Sequence, residues 1–66
     1  MFNNLAAEIK RSGLTQKQFA EKVKINPITF SSKINGKTEF QLVEIKRILE
    51  FFKLQLSFDY LFADAE

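Results

Sequence analysis

The sequence predicts an all-α domain, and three observations carry that prediction. Apolar residues recur at spacings of three and four along successive segments, the period of a helix face. Capping residues open those segments, and Gly or Asn-Gly closes two of them. Around the one pair suited to a tight hairpin, Asn35-Gly36, the flanks lack the alternation a strand needs.

A first helix over 2–11 follows from Phe2, Leu5, Ala6 and Ile9 on one face, and Ser12-Gly13 ends it. Thr15-Gln16-Lys17-Gln18 has the form of a capping box, with Leu14 and Phe19 placed as a hydrophobic staple. A second helix therefore starts at Thr15 and buries Phe19, Ala20 and Val23. Lys24-Ile25-Asn26-Pro27 cuts it short, because Pro27 fits only the first position of a helix and Asn26 is suited to cap it. The third helix runs from Pro27 to residue 34 or 35.

The fourth helix has two competing starts, Thr38-Glu39-Phe40-Gln41 and Gln41 with Glu44. Leu42, Ile45, Leu49 and Phe52 form its expected inner face, with Ile48 beside them. Leu54-Gln55-Leu56 then reads as a short apolar connection, Ser57 as a cap, and 58–62 as a terminal turn or two, with 63–66 frayed. Phe19, Val23, Phe30 and Leu49 are the expected buried anchors.

The chain has 66 residues, enough for a single domain over 1–66. It has no Cys and no His, so disulfides and the usual zinc and iron–sulfur ligand sets are absent, and no cofactor is expected. Stability must come from the core or a partner, and eight Phe supply large rings for it. The same absences remove thiol nucleophiles and His-assisted hydrolysis. The eight acids sit mostly at positions that read as helix surface, and two glycines cannot build a phosphate loop, so binding rather than catalysis is expected. No apolar run approaches the ~18 residues that cross a bilayer, and the N-terminus lacks a signal-peptide layout. With no Cys to protect, a soluble protein of the cytoplasm is the expectation.

Charge is divided unevenly. Residues 1–37 hold seven bases and two acids, net +5, whereas 38–66 hold three bases and six acids, net −3. The first part favours polyanions.

The informative object is the stretch 15–35, two short helices around a tight turn, which is the layout of a helix-turn-helix. Ala20 supplies the small residue where they cross, and Phe19, Val23, Ile25 and Phe30 the apolar packing. Residues 5–62 resemble the phage Cro/CI-type, XRE-like helix-turn-helix regulators. Leu14 to Val23 is similar to the family's second helix, and Lys33-Ile34-Asn35-Gly36-Lys37-Thr38-Glu39-Phe40 to the end of its third in small Gram-positive phage Cro-like and modulator-of-repression proteins. The resemblance implies a five-helix bundle of the lambda repressor-like DNA-binding fold, double-stranded operator DNA as partner, often a homodimer, and the cytoplasm of a bacterial host.

The resemblance also implies site residues. Gln16 matches a phosphate-contacting position, as do Asn26, Asn35 and Lys37; Lys17 and Lys33 are further bases expected to lie along the backbone of the duplex. Pro27, Ile28 and Ser32 match positions that face base edges, with Thr29 and Ser31 adjacent. The sequence departs from the pattern here, because strong direct readout uses Arg, Gln or Asn and this face offers none of them. It can touch thymine methyls and make single hydroxyl bonds, with shape and phosphate contacts supplying the rest. The arginine-bearing loop of some relatives is also missing. Lys24 stands in the turn at a position where the relatives that the chain resembles often have Gly, which implies a strain of about 1–2 kcal/mol if that position is left-handed.

Plain alternatives stand beside these roles. Gln16, Ser31 and Ser32 read equally as exposed polar residues, and the Lys33 stem can pack on the core instead. Ile28 beside Pro27 is an apolar pair turned away from Phe30, which suits a protein interface. A CI-type repressor protein bound by the same helix, as an antirepressor binds it, is therefore the competing partner. Val43, Phe51, Phe58, Tyr60 and Phe62 exceed what one face of the last two helices buries, so a subunit contact or a Phe-rich core closing on itself would absorb them.

Overall fold

The computed structural model describes residues 1–53 and 55–63, and among them it contains five α-helices and no strand. They are α1 (Asn3–Arg11), α2 (Gln16–Lys22), α3 (Pro27–Ile34), α4 (Leu42–Phe51) and α5 (Phe58–Leu61). None is long and apolar enough to cross a membrane. Leu54 of the expected apolar connection and three of the four residues expected to fray, 64–66, lie outside the described residues.

The starts and stops follow local chemistry. The Thr15 hydroxyl accepts from the Gln18 amide at 3.1 Å, and the Thr15 amide donates to Gln18 Oε1 at 2.9 Å, so the box that opens α2 is complete. Asn26 Oδ1 accepts from the amides of Ile28 and Thr29 at 2.9 and 3.3 Å, with Pro27 at the first position of α3. Ser57 Oγ accepts from the Tyr60 amide at 3.1 Å and caps α5. Gly13 and Gly36 both take φ of +83° after α1 and α3. Lys24 has φ of +62° in the turn between α2 and α3, so the position is left-handed and the conditional strain applies.

α1 begins one residue later than its apolar spacing predicts. Phe2 is instead held by the chain end of α3, its amide donating to the Ile34 carbonyl at 2.9 Å. α4 takes the second of its two starts, with the Gln41 amide donating to Glu44 Oε1 at 2.8 Å. This start corrects the expected inner face. Leu42, at the first helical position, projects past the edge of the core and is 68% exposed. Ile48 is the fully buried residue of α4, with Glu44, Ile45, Phe51 and Phe52 around it, and Leu49 is only half-buried. The stripe is thus rotated toward Glu44 and Phe51, because those side chains meet α3 and α2 respectively.

The core consists of Leu5, Ile9, Phe19, Ala20, Val23, Ile25, Phe30, Ile34, Ile48 and Leu61. Ala20 lies at the centre with no exposed surface, and its carbonyl accepts from the Ile25 amide at 2.9 Å, which closes the turn onto α2. All eight phenylalanines join one network of ring contacts. From one end it runs Phe58 to Phe62 at 5.2 Å, Phe62 to Phe40 at 5.3 Å, Phe40 to Phe30 at 5.8 Å, Phe30 to Phe19 at 5.6 Å and Phe19 to Phe51 at 4.8 Å. Phe2 joins Phe40 and Phe62, and Phe52 joins Phe19 and Phe51. Each such pair contributes about 0.5–1.5 kcal/mol beyond the area it buries, which is how so short a chain obtains a core without a disulfide or metal.

Candidate functional site

The residues singled out from the sequence lie on α2, α3 and the segment that follows. Inward packing decides which way the eight-residue α3 faces. Phe30 and Ile34 point inward and are fully buried, so the opposite side of the helix is turned to solvent. Ile28 is 82% exposed, Thr29 is exposed, and Pro27, Ser31 and Ser32 are half-buried beside them. Asn26 precedes this face and Asn35 follows it, both exposed.

Gln16 and Lys17 are exposed at the start of α2. Gln16 lines a shallow groove of about 340 Å³ with Ala6, Ile9, Lys10, Leu14, Thr15 and Ile34, so the beginning of α2 abuts the end of α3. Lys37 is exposed one residue past Gly36, its amide donating to the Ser32 carbonyl at 2.9 Å, which ties the segment after α3 back onto that helix. Lys10 is a base beside Gln16 that the sequence reading did not single out; only the approach of α1 to α2 brings it there.

Lys33 is the exception. Its residue is 7% exposed and its ammonium reaches both carboxylate oxygens of Glu44 on α4, at 2.5 and 2.6 Å. It is therefore not offered to a ligand, and the plainer expectation, a stem laid on the core, describes it better. Burial pushes the Glu44 carboxyl up. The Gln41 amide, the hydrogen bond and charge of Lys33, and the charge of Arg47 outweigh that push and hold it below its ordinary value of 4.5. Glu44 carried no signal as a partner, since the two residues are separated by 11 positions and a loop.

Local hydrogen bonds occupy the two amide side chains flanking the α3 face. Asn26 Oδ1 is committed to the first amides of its own helix, and Asn35 Nδ2 donates back to the Ser31 carbonyl at 2.9 Å. No ionisable residue other than Lys33 occurs between 26 and 36, so with Lys33 paired inward the exposed side of α3 is uncharged. Lys10 on α1, Lys17 at the start of α2 and Lys37 just after α3 are exposed and make no ion pair among the described residues.

The five residues expected at a subunit contact divide. Val43 and Phe58 are 50% and 48% exposed and stay available, as does the unanticipated Leu42. Phe51 is drawn into the core edge against Phe19, and Phe62 is half-buried between Phe2, Phe40 and Phe58. Tyr60 serves inside the chain: its hydroxyl donates to Glu8 Oε2 at 2.7 Å, and its carbonyl accepts from Asn4 Nδ2 at 2.9 Å. The hydrogen bond to Glu8, with burial and the Glu8 charge behind it, raises the phenol above its ordinary value of 10.0. Arg11 completes this clamp with a 2.6 Å bond to the same Glu8 oxygen, and α5 is thereby fixed to α1.

Among the described residues no cluster of acids could hold a metal ion. A further concavity, of about 450 Å³, is lined by Lys22, Val23, Lys24, Arg47, Glu50 and Phe51 at the end of α2. Its cations complement the negative pole of that helix. Comparison with protein-family models, curated proteins and solved structures finds no match for this chain.

Proposed function

We propose that this chain is a Cro-like transcriptional regulator that binds operator DNA through α3 in a phage lysis–lysogeny switch, with the helix-turn-helix formed by α2, the turn at 23–26 and α3. The observation that carries this reading is the outward face of α3. Pro27, Ile28, Thr29, Ser31 and Ser32 lie on the side of α3 turned away from the inward-anchored Phe30 and Ile34, and α2, with Ala20 fully buried, packs alongside. A helix with one side free and its neighbour alongside is what insertion into a major groove requires. Lys10, Lys17 and Lys37 supply the attraction to phosphates, in the half of the chain that is net positive.

The test is retention of duplex DNA by the full chain across a salt series. Binding should fall steeply, with log K losing about 0.9 per log unit of salt for each phosphate neutralised. Lys17→Ala should weaken binding to all sequences alike and flatten the slope by about that amount. Failure of the full chain to retain any duplex at low salt sinks the proposal.

A second reading, an antirepressor that grips a CI-type repressor protein, draws support from the 82% exposure of Ile28 on an uncharged face. Such a contact should be nearly insensitive to salt, and Ile28→Lys should abolish it while leaving non-specific duplex binding intact or increased. A gel shift with the phage switch region, with and without the cognate repressor, separates the two. A homodimer is supported by the exposure of Leu42, Val43 and Phe58; it would set two copies of α3 about 34–36 Å apart, one turn of DNA.

A further inference from the structure

We infer that α3 discriminates bases through the 5-methyl groups of thymine and not through the charged or amide side chains that read guanine, adenine or cytosine. The inference rests on the DNA-binding reading above and adds to it the chemical class of base that is recognised. Each base offers the major groove a distinct handle, and each handle needs a particular side chain. Guanine is read by Arg or Lys reaching its O6 and N7. The only base between 26 and 36 is Lys33, and both oxygens of Glu44 hold its ammonium in a nearly buried ion pair. Cytosine is read by a carboxylate, and none occurs in that stretch.

Adenine is read by the amide of Asn or Gln, which must give a donor and an acceptor together. Asn26 has its acceptor spent on two backbone amides of α3, and Asn35 has its donor nitrogen turned back onto Ser31. Neither presents both halves outward. What the face presents most is carbon, the Ile28 side chain at 82% exposure beside the half-buried Pro27 ring, while the hydroxyls of exposed Thr29 and half-buried Ser31 and Ser32 can bond more than one base and select little. Thymine is the one base whose major-groove edge carries a methyl group, and it is the natural counterpart of such a surface. The exposed cations Lys10, Lys17 and Lys37, in the net-positive part of the chain that includes α3, favour a polyanion over an apolar protein groove as its occupant.

The experiment starts from duplexes selected out of a random pool by the full chain, followed by replacement of thymine with deoxyuridine, which removes the methyl and nothing else. Affinity should drop about fourfold per contacted methyl, the factor corresponding to about 0.8 kcal/mol for one buried carbon. Replacing cytosine with 5-methylcytosine at a contacted position should restore part of the loss. Ile28→Ala, at a site too exposed to unfold the chain, should bind thymine and deoxyuridine duplexes nearly alike. Equal binding of both duplexes by the unaltered chain, or a selected pool without thymine enrichment, overturns the inference and leaves the DNA-binding reading standing. Failure to retain any duplex at low salt overturns both.

Discussion

Lys24 holds a backbone conformation that suits Gly better than any residue with a Cβ, since φ of +62° brings that atom close to its own carbonyl. Lys24→Gly trades that strain, about 1–2 kcal/mol, against the larger entropy Gly loses on folding, about 0.5–1 kcal/mol. The variant should be more stable by up to about 1.5 kcal/mol, and its Tm should rise by about 4–8 °C per kcal/mol gained. An unchanged or lower Tm would mean that the Lys24 stem contributes packing beside Arg47. Lys33 and Glu44 offer the opposite case, a pair in which each charge is tolerable only because of the other. Glu44→Gln leaves the Lys33 ammonium nearly buried without its counter-charge and should cost about 3 kcal/mol in chemical unfolding. Because the folded carboxyl lies below its ordinary value, the pair contributes in full above pH 4.5 and its contribution fades as pH falls through the folded value. The unaltered chain should therefore lose stability faster than Glu44→Gln on acidification below that point. Parallel curves would show that the ion pair adds nothing.

Elements built on local chemistry are legible in the sequence. The box at Thr15, the cap at Asn26 with Pro27, and the stops at Gly13 and Gly36 fix α2, α3 and the end of α1 within a residue or so, because each depends on side chains no more than four positions apart. α4 was harder. Its apolar residues occupy more than one side, and periodicity alone favours the line through Leu42 and Leu49. The true inner line was decided by partners distant in sequence, Lys33 for Glu44 and Phe19 for Phe51. The same distinction governs the candidate site. Ile28 was placed outward from its offset to Phe30, whereas the inward turn of Lys33 depended on a contact across a loop. Phe30→Ala tests the orientation of α3 as an element. It removes a fully buried ring bonded into the aromatic network and should cost about 3–5 kcal/mol, enough to abolish the cooperative unfolding transition in circular dichroism. A folded variant would mean that α3 is rotated, and the surface proposed for recognition with it.

At the scale of the whole molecule, exposed apolar side chains occur in two regions of opposite net charge, Ile28 on α3 in the net-positive half and Leu42, Val43 and Phe58 on α4 and α5 in the net-negative half. If two copies associate through the latter three, Phe58→Glu should shift sedimentation toward the monomer without altering helicity, since Phe58 touches only Phe62 in the ring network. A sedimentation coefficient that stays the same at every concentration for both proteins would remove that surface from consideration. The ring network has one more consequence, for the order in which the chain acquires its form during synthesis. Phe2 meets Phe62 at 5.7 Å and Phe40 at the same distance, and α1 is clamped by Tyr60 through Glu8. At about 5–20 residues per second, a ribosome needs roughly 3–12 s to travel from the first of these rings to the last. Through that interval the nascent N-terminal helix lacks its covering partners, and final closure must wait until the distal segment has cleared the exit tunnel.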